Sequence, residues 1–240
     1  MSTTNVQCSF LLNTGEVVSM KGDGTDAALT EIKTSAVIQV GGGVAATSIG
    51  TYADGKSIVA VLQPLTPTTD GEVVLFGFIS RRGAITAIIP TGGFETASEP
   101  WACGHQLQAG DTLQVMTAET GGATDDRVIY CLETAQGTQA IFSGTPSSVS
   151  GTSVELLHVL SGTGLGAAIT GQRIMRHWAQ CPAPSGLAGT QYNNSVFLVN
   201  DRGLPMGGSV IINPALLQPV RNMMGTATPM LNWQVQVTDI

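Results

Sequence analysis

Charge is scarce in this chain. Asp, Glu, Lys and Arg make up 11% of its 240 residues, where an ordinary soluble domain carries about 25%. With 30 glycines, and with Thr, Ser, Ala and Gln filling much of the rest, the surface must be covered largely by neutral polar groups. Such a skin has little charge repulsion to keep copies apart and suits a protein packed against neighbours. The net charge of −7 is also uneven: residues 1–155 hold 15 acidic against 6 basic side chains, whereas residues 156–238 hold Arg173, Arg176, Arg202 and Arg221 against Asp201 alone. No basic run occurs, and Lys21 and Lys33 are the only cations among the first thirty-three residues, which excludes a basic genome-binding arm at the amino end.

Groups whose proton affinity can be poised for catalysis are as sparse. His105, His158 and His177 are the only histidines. His158 sits in the apolar stretch "VELLHVLSG", where a histidine takes one hydrogen-bond partner and stays neutral. No G-x-S-x-G pentad exists, which excludes the nucleophile elbow of α/β hydrolases. Aromatics are only 5%, too few for the sugar platforms that accompany paired catalytic carboxylates. Asp70, Asp125 and Asp126 lie in turn-like sequence and read as turn caps, with calcium at "ATDD" as the sharper alternative. The glycine-rich "LSGTGLGAAITGQR" (160–173) spaces Gly166 and Gly171 as a phosphate loop would, but Gln172 and Arg173 stand where lysine and a hydroxyl are required. Gly162, Gly164 and Gly166 give G-x-G-x-G with no acid about twenty residues on, so the stretch reads as a loop. "NNS" (193–195) matches a glycosylation acceptor and reads more simply as a turn. Arg81 and Arg82, at a hairpin tip, read as solvated, with an acidic neighbour as the alternative.

No C-x-x-C pair is present. Cys8 and Cys131 lie in apolar runs and read as small buried hydrophobes. Cys103 with His105, and His177 with Cys181, could together supply four zinc ligands, the latter two on one face if that segment is helical. Cys-x-His is an uncommon ligand spacing and the two histidines are 72 residues apart, so no metal, disulfide or cofactor is assigned. The amino end has neither a basic region nor a long apolar core, and no apolar run approaches the length that spans a bilayer. Synthesis in a cytoplasm, without a secretion signal, is the expectation.

What the sequence does have is strand grammar. "LNWQVQVTD" alternates Leu231, Trp233, Val235 and Val237 with Asn232, Gln234, Gln236 and Thr238. At the other end Val6, Cys8 and Phe10 alternate with Asn5, Gln7 and Ser9 before a turn at Asn13 to Gly15. Three hairpin-like stretches follow, "DGEVVLFGFISRRGAITAIIP", "DDRVIYCLETAQGTQAIFSG" and "NNSVFLVNDRGLPMGGSVIIN", with Gly83, Gly137 and Gly203 placed for positive-φ turns. Their first valines, Val73, Val128 and Val196, are 55 and 68 residues apart, so no strict repeat is read. Strands are also predicted at 57–65, 111–118 and 153–160. Short helices are predicted within 28–40 and 171–181, and at most a turn or two at 213–224. The expected fold is an all-β antiparallel sandwich, jelly-roll-like, with long Gly/Thr/Ser-rich loops and one or two short helices. It forms a single domain over 1–240 or, alternatively, two β subdomains, 1–150 and 151–240, with joints considered at 181–190 and 142–153.

Few charges, Gly/Thr/Ser/Ala-rich loops, short strands from end to end and no recognisable reaction centre together resemble the jelly-roll structural proteins of virus particles. The resemblance runs over the whole length and implies an eight-stranded sandwich that self-assembles into a symmetric shell. It implies a non-enzymatic subunit located in the virion, partnered by copies of itself and by other virion proteins. The missing basic arm favours a shell over an internal membrane, or an outer decorating role. Arg173, Arg176, Arg202 and Arg221 could then face an anionic layer, membrane or genome, without specific nucleic-acid recognition; four unrelated surface arginines are the plainer reading. A carbohydrate- or receptor-binding module, using Trp101, Trp178 or Tyr192 in loop-like sequence, is the alternative. An enzyme with a site assembled from distant loops is the third reading.

Overall fold

The computed structural model describes residues 3–25, 28–34, 46–68, 72–91, 101–119, 127–145, 153–180, 192–199, 210–212, 220–223 and 232–239, the last four of these as backbone. The chain falls into two compact units, Met1–Thr120 and Gly121–Ile240. Both joints considered from sequence lie inside the second unit. At 142–153 the expectation fails because the strand before it pairs with one after it, Phe142 opposite His158; residues 181–190 lie outside the described residues.

Unit 1 contains β1 (Thr3–Leu12), β2 (Val17–Thr25), β3 (Thr30–Thr34), the one-turn helix α1 (Ile49–Tyr52), β4 (Ser57–Pro67), β5 (Glu72–Arg81), β6 (Ala84–Ile89), β7 (Trp101–Gln106) and β8 (Thr112–Glu119). Its strands pair antiparallel in the order β6-β5-β8-β3-β2-β1-β4-β7. Strand β3 changes partner along its length: Thr30 to Ile32 face β8, while Lys33 and Thr34 face β2. The sheet bends over at that strand, and the Leu65 N–H of β4 donates to the Pro90 carbonyl just beyond β6 at 3.0 Å. Curling brings the ends of the sheet together and limits exposed edges. The alternating apolar positions read from sequence become the core: Val6, Cys8, Phe10 and Leu12 from β1 meet Val18, Met20, Ile32, Ile58, Val61, Leu113 and Val115, all at most 2% exposed. Burying each such large side chain is worth about 1.5–3 kcal/mol.

Unit 2 contains β9 (Val128–Thr134), β10 (Gln139–Gly144), β11 (Ser153–Glu155), β12 (Leu157–His158), α2 (Leu165–Ile169), β13 (Ile174–Gln180), β14 (Tyr192–Val199), β15 (Val210–Ile212), β16 (Val220–Met223) and β17 (Asn232–Asp239). One sheet runs β12-β10-β9-β13-β16 and the other β11-β17-β14-β15. With β11 and β12 taken as the two halves of one bent strand, this is the strand order of unit 1. The match extends to turns and register. Gly15 and Gly137 occupy the same turn at φ 81° and 80°, and Gly55 and Gly171 precede β4 and β13 at φ 77° and 73°. Asn13 N–H donates to the Ser57 carbonyl as Ala135 N–H donates to that of Arg173, both at 2.8 Å. Phe10 opposite Val61 in unit 1 corresponds to Leu132 opposite His177 in unit 2. The chain therefore carries one β topology twice, a repeat of about 120 residues that valine spacing alone does not expose.

The all-β antiparallel expectation holds, with two short helices. The strand order itself is not that of a jelly roll, where first and last strands are neighbours in one sheet; here β1 lies between β2 and β4. Helix positions also differ from expectation. Residues 30–34 form β3, because Ile32 and Thr34 alternate inward against exposed Lys33. Residues 174–180 form β13: a spacing of four, such as Ile174 to Trp178, fits one face of a strand as well as a helix, and β9 offers the free edge. The helix lies earlier, at 165–169, and stops before Gly171. Of 213–224, residues 220–223 are strand and 213–219 lie outside the described residues. Among the described residues no helix is long and apolar enough to cross a membrane.

Candidate functional site

The most elaborate polar cluster surrounds Asp111, whose side chain is fully buried at the start of β8. Arg81, at the end of β5, reaches it with Nε at 2.6 Å from Oδ1 and Nη2 at 2.7 Å from Oδ2. The Gln108 N–H donates to Oδ2 at 3.0 Å, and His105 Nε2 lies 3.1 Å from the same oxygen. Burial by itself pushes the Asp111 carboxyl up; the hydrogen bonds from Arg81, Gln108 and His105 and the guanidinium charge together outweigh it and hold the group below its ordinary value. The arrangement locks the 106–111 loop. Arg81 Nη2 also donates to the Gln106 carbonyl at 2.9 Å, and the Gly50 N–H of α1 donates to the Asp111 carbonyl at 3.1 Å. Gly50 is required for that approach, since a Cβ there would stand 2.1 Å from the Gln108 oxygen. Both carboxylate oxygens accept hydrogen bonds, Oδ1 from Arg81 of β5 and Oδ2 from Arg81, from His105 of β7 and from the Gln108 N–H, so the cluster ties β5, β7 and the 106–111 loop together.

A second cluster ties the β1–β2 turn to α1: Tyr52 OH donates to Glu16 Oε1 at 2.5 Å and Lys56 Nζ lies 2.6 Å from Oε2. The Lys56 hydrogen bond, then that of Tyr52, lowers the Glu16 carboxyl from its usual value. In unit 2 the buried Tyr130 hydroxyl hydrogen-bonds His177 Nδ1 inside the core. Burial pushes the phenol well up and the imidazole down, so the pair is neutral near pH 7. His158 packs edge-on to Phe142 at 5.4 Å and shares its Nδ1 with Ser161, a structural placement in keeping with the sequence.

The sequence-derived zinc set is divided between units. His105 is in β7 of unit 1 and engaged by Asp111, whereas His177 is in β13 of unit 2 and engaged by Tyr130. Cys103 is placed in β7 by its backbone, Cys181 lies outside the described residues, and the helix that would have aligned His177 with Cys181 is a strand. Among the described residues no three His, Cys, Asp or Glu side chains are grouped to hold a metal ion. Cys8 and Cys131 are free, buried thiols pushed far up by desolvation, as small core hydrophobes should be.

Arg81 is an ion-pair partner rather than a solvated tip. Arg82, at φ 50°, and Gly83, at φ 78°, form the exposed turn beside it, a positive-φ pair typical of two-residue hairpins. Gly137 has the expected positive φ as well, and Gly203 lies outside the described residues, as do Asp70, Asp125 and Asp126. Trp101, Trp178 and Tyr192, read from sequence as loop residues, are in β7, β13 and β14, and "NNS" (193–195) is also in β14 rather than in a turn. Arg176 is in β13 and Arg221 in its neighbour β16, which puts two of the four arginines on one sheet, with Arg173 exposed ahead of β13; Arg202 lies outside the described residues. Sequence reading missed the Asp111–Arg81 pair because thirty residues separate its members. A lone aspartate after "LQAG" at a strand start was the available signal. Compared with known proteins, the chain matches no family model, no curated protein and no solved structure.

Proposed function

We propose that the chain is a structural subunit of a virus particle, a capsid or outer-shell protein that acts by assembling with copies of itself and with other virion proteins. The observation that carries this reading is how the few charges are used. In a chain with only 11% charged residues, Asp111, Arg81, Glu16 and Lys56 are bound up in holding their own loops. With 10 basic and 17 acidic side chains among 240 residues, a contact meets few ions to desolvate, although Lys21, Asp23 and Lys33 are among those that stay exposed. Burying amides and hydroxyls costs less than burying ions, so neutral turns can meet neighbouring subunits at small penalty. In unit 1 the curled sheet leaves faces and turns, more than strand edges, for such contacts. Arg173, Arg176, Arg202 and Arg221 are the groups that would turn toward an anionic layer in the particle.

The test is electron microscopy and size-exclusion chromatography of the expressed chain. Large particles or lattices are expected. Gln136→Glu and Thr138→Lys, at the exposed β9–β10 turn, should reduce particle yield while shifting stability by no more than about 0.5 kcal/mol. A chain that stays solitary at high concentration, or unchanged yield across several such turns, would overturn the reading.

A further inference from the structure

We propose that the outer face formed by β3, β2, β1 and β4 of unit 1 is the surface on which a second copy of this chain docks; this rests on the assembly reading and names its contact. The face has two ends. At one, Val17, Val59 and Leu62 are 51%, 41% and 42% exposed, the large exposed hydrophobics of this unit among the described residues. At the other, about 13 Å along β2 from Val17 at roughly 3.3 Å per residue, Lys21 stands directly opposite Lys33, and both are exposed. Among the described residues neither lysine has an ion-pair partner. Like charges directly opposite one another on adjacent strands are destabilising, and an acidic group laid over them would reverse that effect. Between the two ends lies a neutral row, Ser9 hydrogen-bonded to Ser19 at 3.1 Å and to Gln63 at 3.5 Å.

The occupant follows from charge. A chain of net −7 can offer carboxylates to the Lys21–Lys33 end of this face, where Asp23 is exposed beside Lys21 and the half-buried Glu31, engaged by Ser48, stands beside Lys33. A polyanion such as nucleic acid would meet only two cations here, and beyond them an apolar end with nothing to offer phosphate. The repeated topology adds a second argument. The positions of Ser9 and Ser19 correspond in unit 2 to Cys131 and Ile141, again directly opposite each other, and these are apolar and buried at 4% and 0% exposure. The outer face of this sheet is thus one that the fold can carry covered. These residues, on four strands, span roughly 20 by 19 Å, about half the area per partner of a standard stable interface, so this contact acts as one of several in an assembly.

Sedimentation velocity of the full chain at low and high salt tests the proposal, with Lys21→Gln/Lys33→Gln, Leu62→Asp and the charge-retaining Lys21→Arg/Lys33→Arg alongside. Wild type and the arginine variant should self-associate. The glutamine and aspartate variants should do so at least tenfold more weakly, with unchanged circular dichroism and unfolding midpoint. Carbodiimide coupling between isotopically labelled and unlabelled copies should join Lys21 or Lys33 to a carboxylate of the other copy. Undiminished association of both variants would overturn this face and leave the assembly reading standing, whereas a wild type that never associates would overturn that reading itself. Binding of wild type to anionic vesicles or an oligonucleotide through these lysines, without self-association, would overturn the second copy as occupant.

Discussion

Asp111→Ala removes the acceptor for four hydrogen bonds at once: two from Arg81, one from the Gln108 N–H and one from His105. Breaking a buried ion pair by deleting one partner costs about 3–5 kcal/mol. Here Arg81 keeps a quarter of its side-chain exposure, so water can recover part of its solvation, and about 2–4 kcal/mol is the expected loss. For a cooperative unit of 120 residues, the usual unfolding entropy converts each kcal/mol into about 4 °C, which places the drop near 8–16 °C. The pH dependence carries its own sign. The folded-state carboxyl lies below its unfolded value, so its contribution is present above the unfolded value of about 4 and is lost as pH falls through the folded one. Urea unfolding of wild type and variant at pH 7 and near pH 3 should show a large gap at neutral pH that narrows on acidification. A neutral-pH difference under about 0.5 kcal/mol, or a gap that does not narrow, would refute the view that this carboxylate organises the 106–111 loop.

Two further outcomes are expected. Gly50→Ala puts a methyl 2.1 Å from the Gln108 oxygen and 2.6 Å from the Asp111 nitrogen, both backbone atoms, and should cost at least about 1–3 kcal/mol by thermal unfolding; a neutral result would mean that α1 does not rest on this loop. His177, held below its ordinary value by burial, takes up a proton more readily when unfolded, so it removes stability as pH falls below about 6.5. Comparing unfolding midpoints of wild type and His177→Gln between pH 7.5 and 5.5 should show a shallower acid slope in the variant, and equal slopes would contradict a buried neutral imidazole.

Much of the fold was legible because alternation is a local property. Val6, Cys8 and Phe10 declare one face of β1 without reference to any partner, and all three are fully or almost fully buried. The "NTG" turn and the Gly83 and Gly137 hairpins were legible for a similar reason, since positive φ is a demand on single residues. The repeat was not legible in the valine spacing, because the hairpin at 128 does not correspond to the one at 73. Its structural counterpart is the amino-terminal hairpin, with Gly137 answering to Gly15. Segment 174–180 misled because a spacing of four belongs to both helix and strand faces, and the choice was made by the free edge of β9. Clusters such as Asp111 with Arg81 depend on the register of β5 against β8, where Ser80 faces Thr112, and no local pattern announces a register.

The two units share a backbone plan but not its buried polar groups, and that difference has a physical use. Adjacent copies of one topology in a single chain are prone to exchange strands, because each strand finds an equivalent place in the other unit. Tyr130 on β9 occupies the position of Cys8 on β1, and His177 on β13 that of Val61 on β4. Were β9 to enter the place of β1, the Tyr130 hydroxyl would lie in an apolar core without the His177 nitrogen that receives it in unit 2, at a cost of about 1–3 kcal/mol for the unsatisfied group and more for its excess volume. The reverse exchange would leave His177 facing Phe10 with no hydroxyl. The apolar alternation that specifies the fold is indifferent to which copy a strand belongs to, and the unit-specific polar pair removes that indifference. The Tyr130–His177 pair thus makes β9 and β13 fit each other better than they fit the matching strands of unit 1.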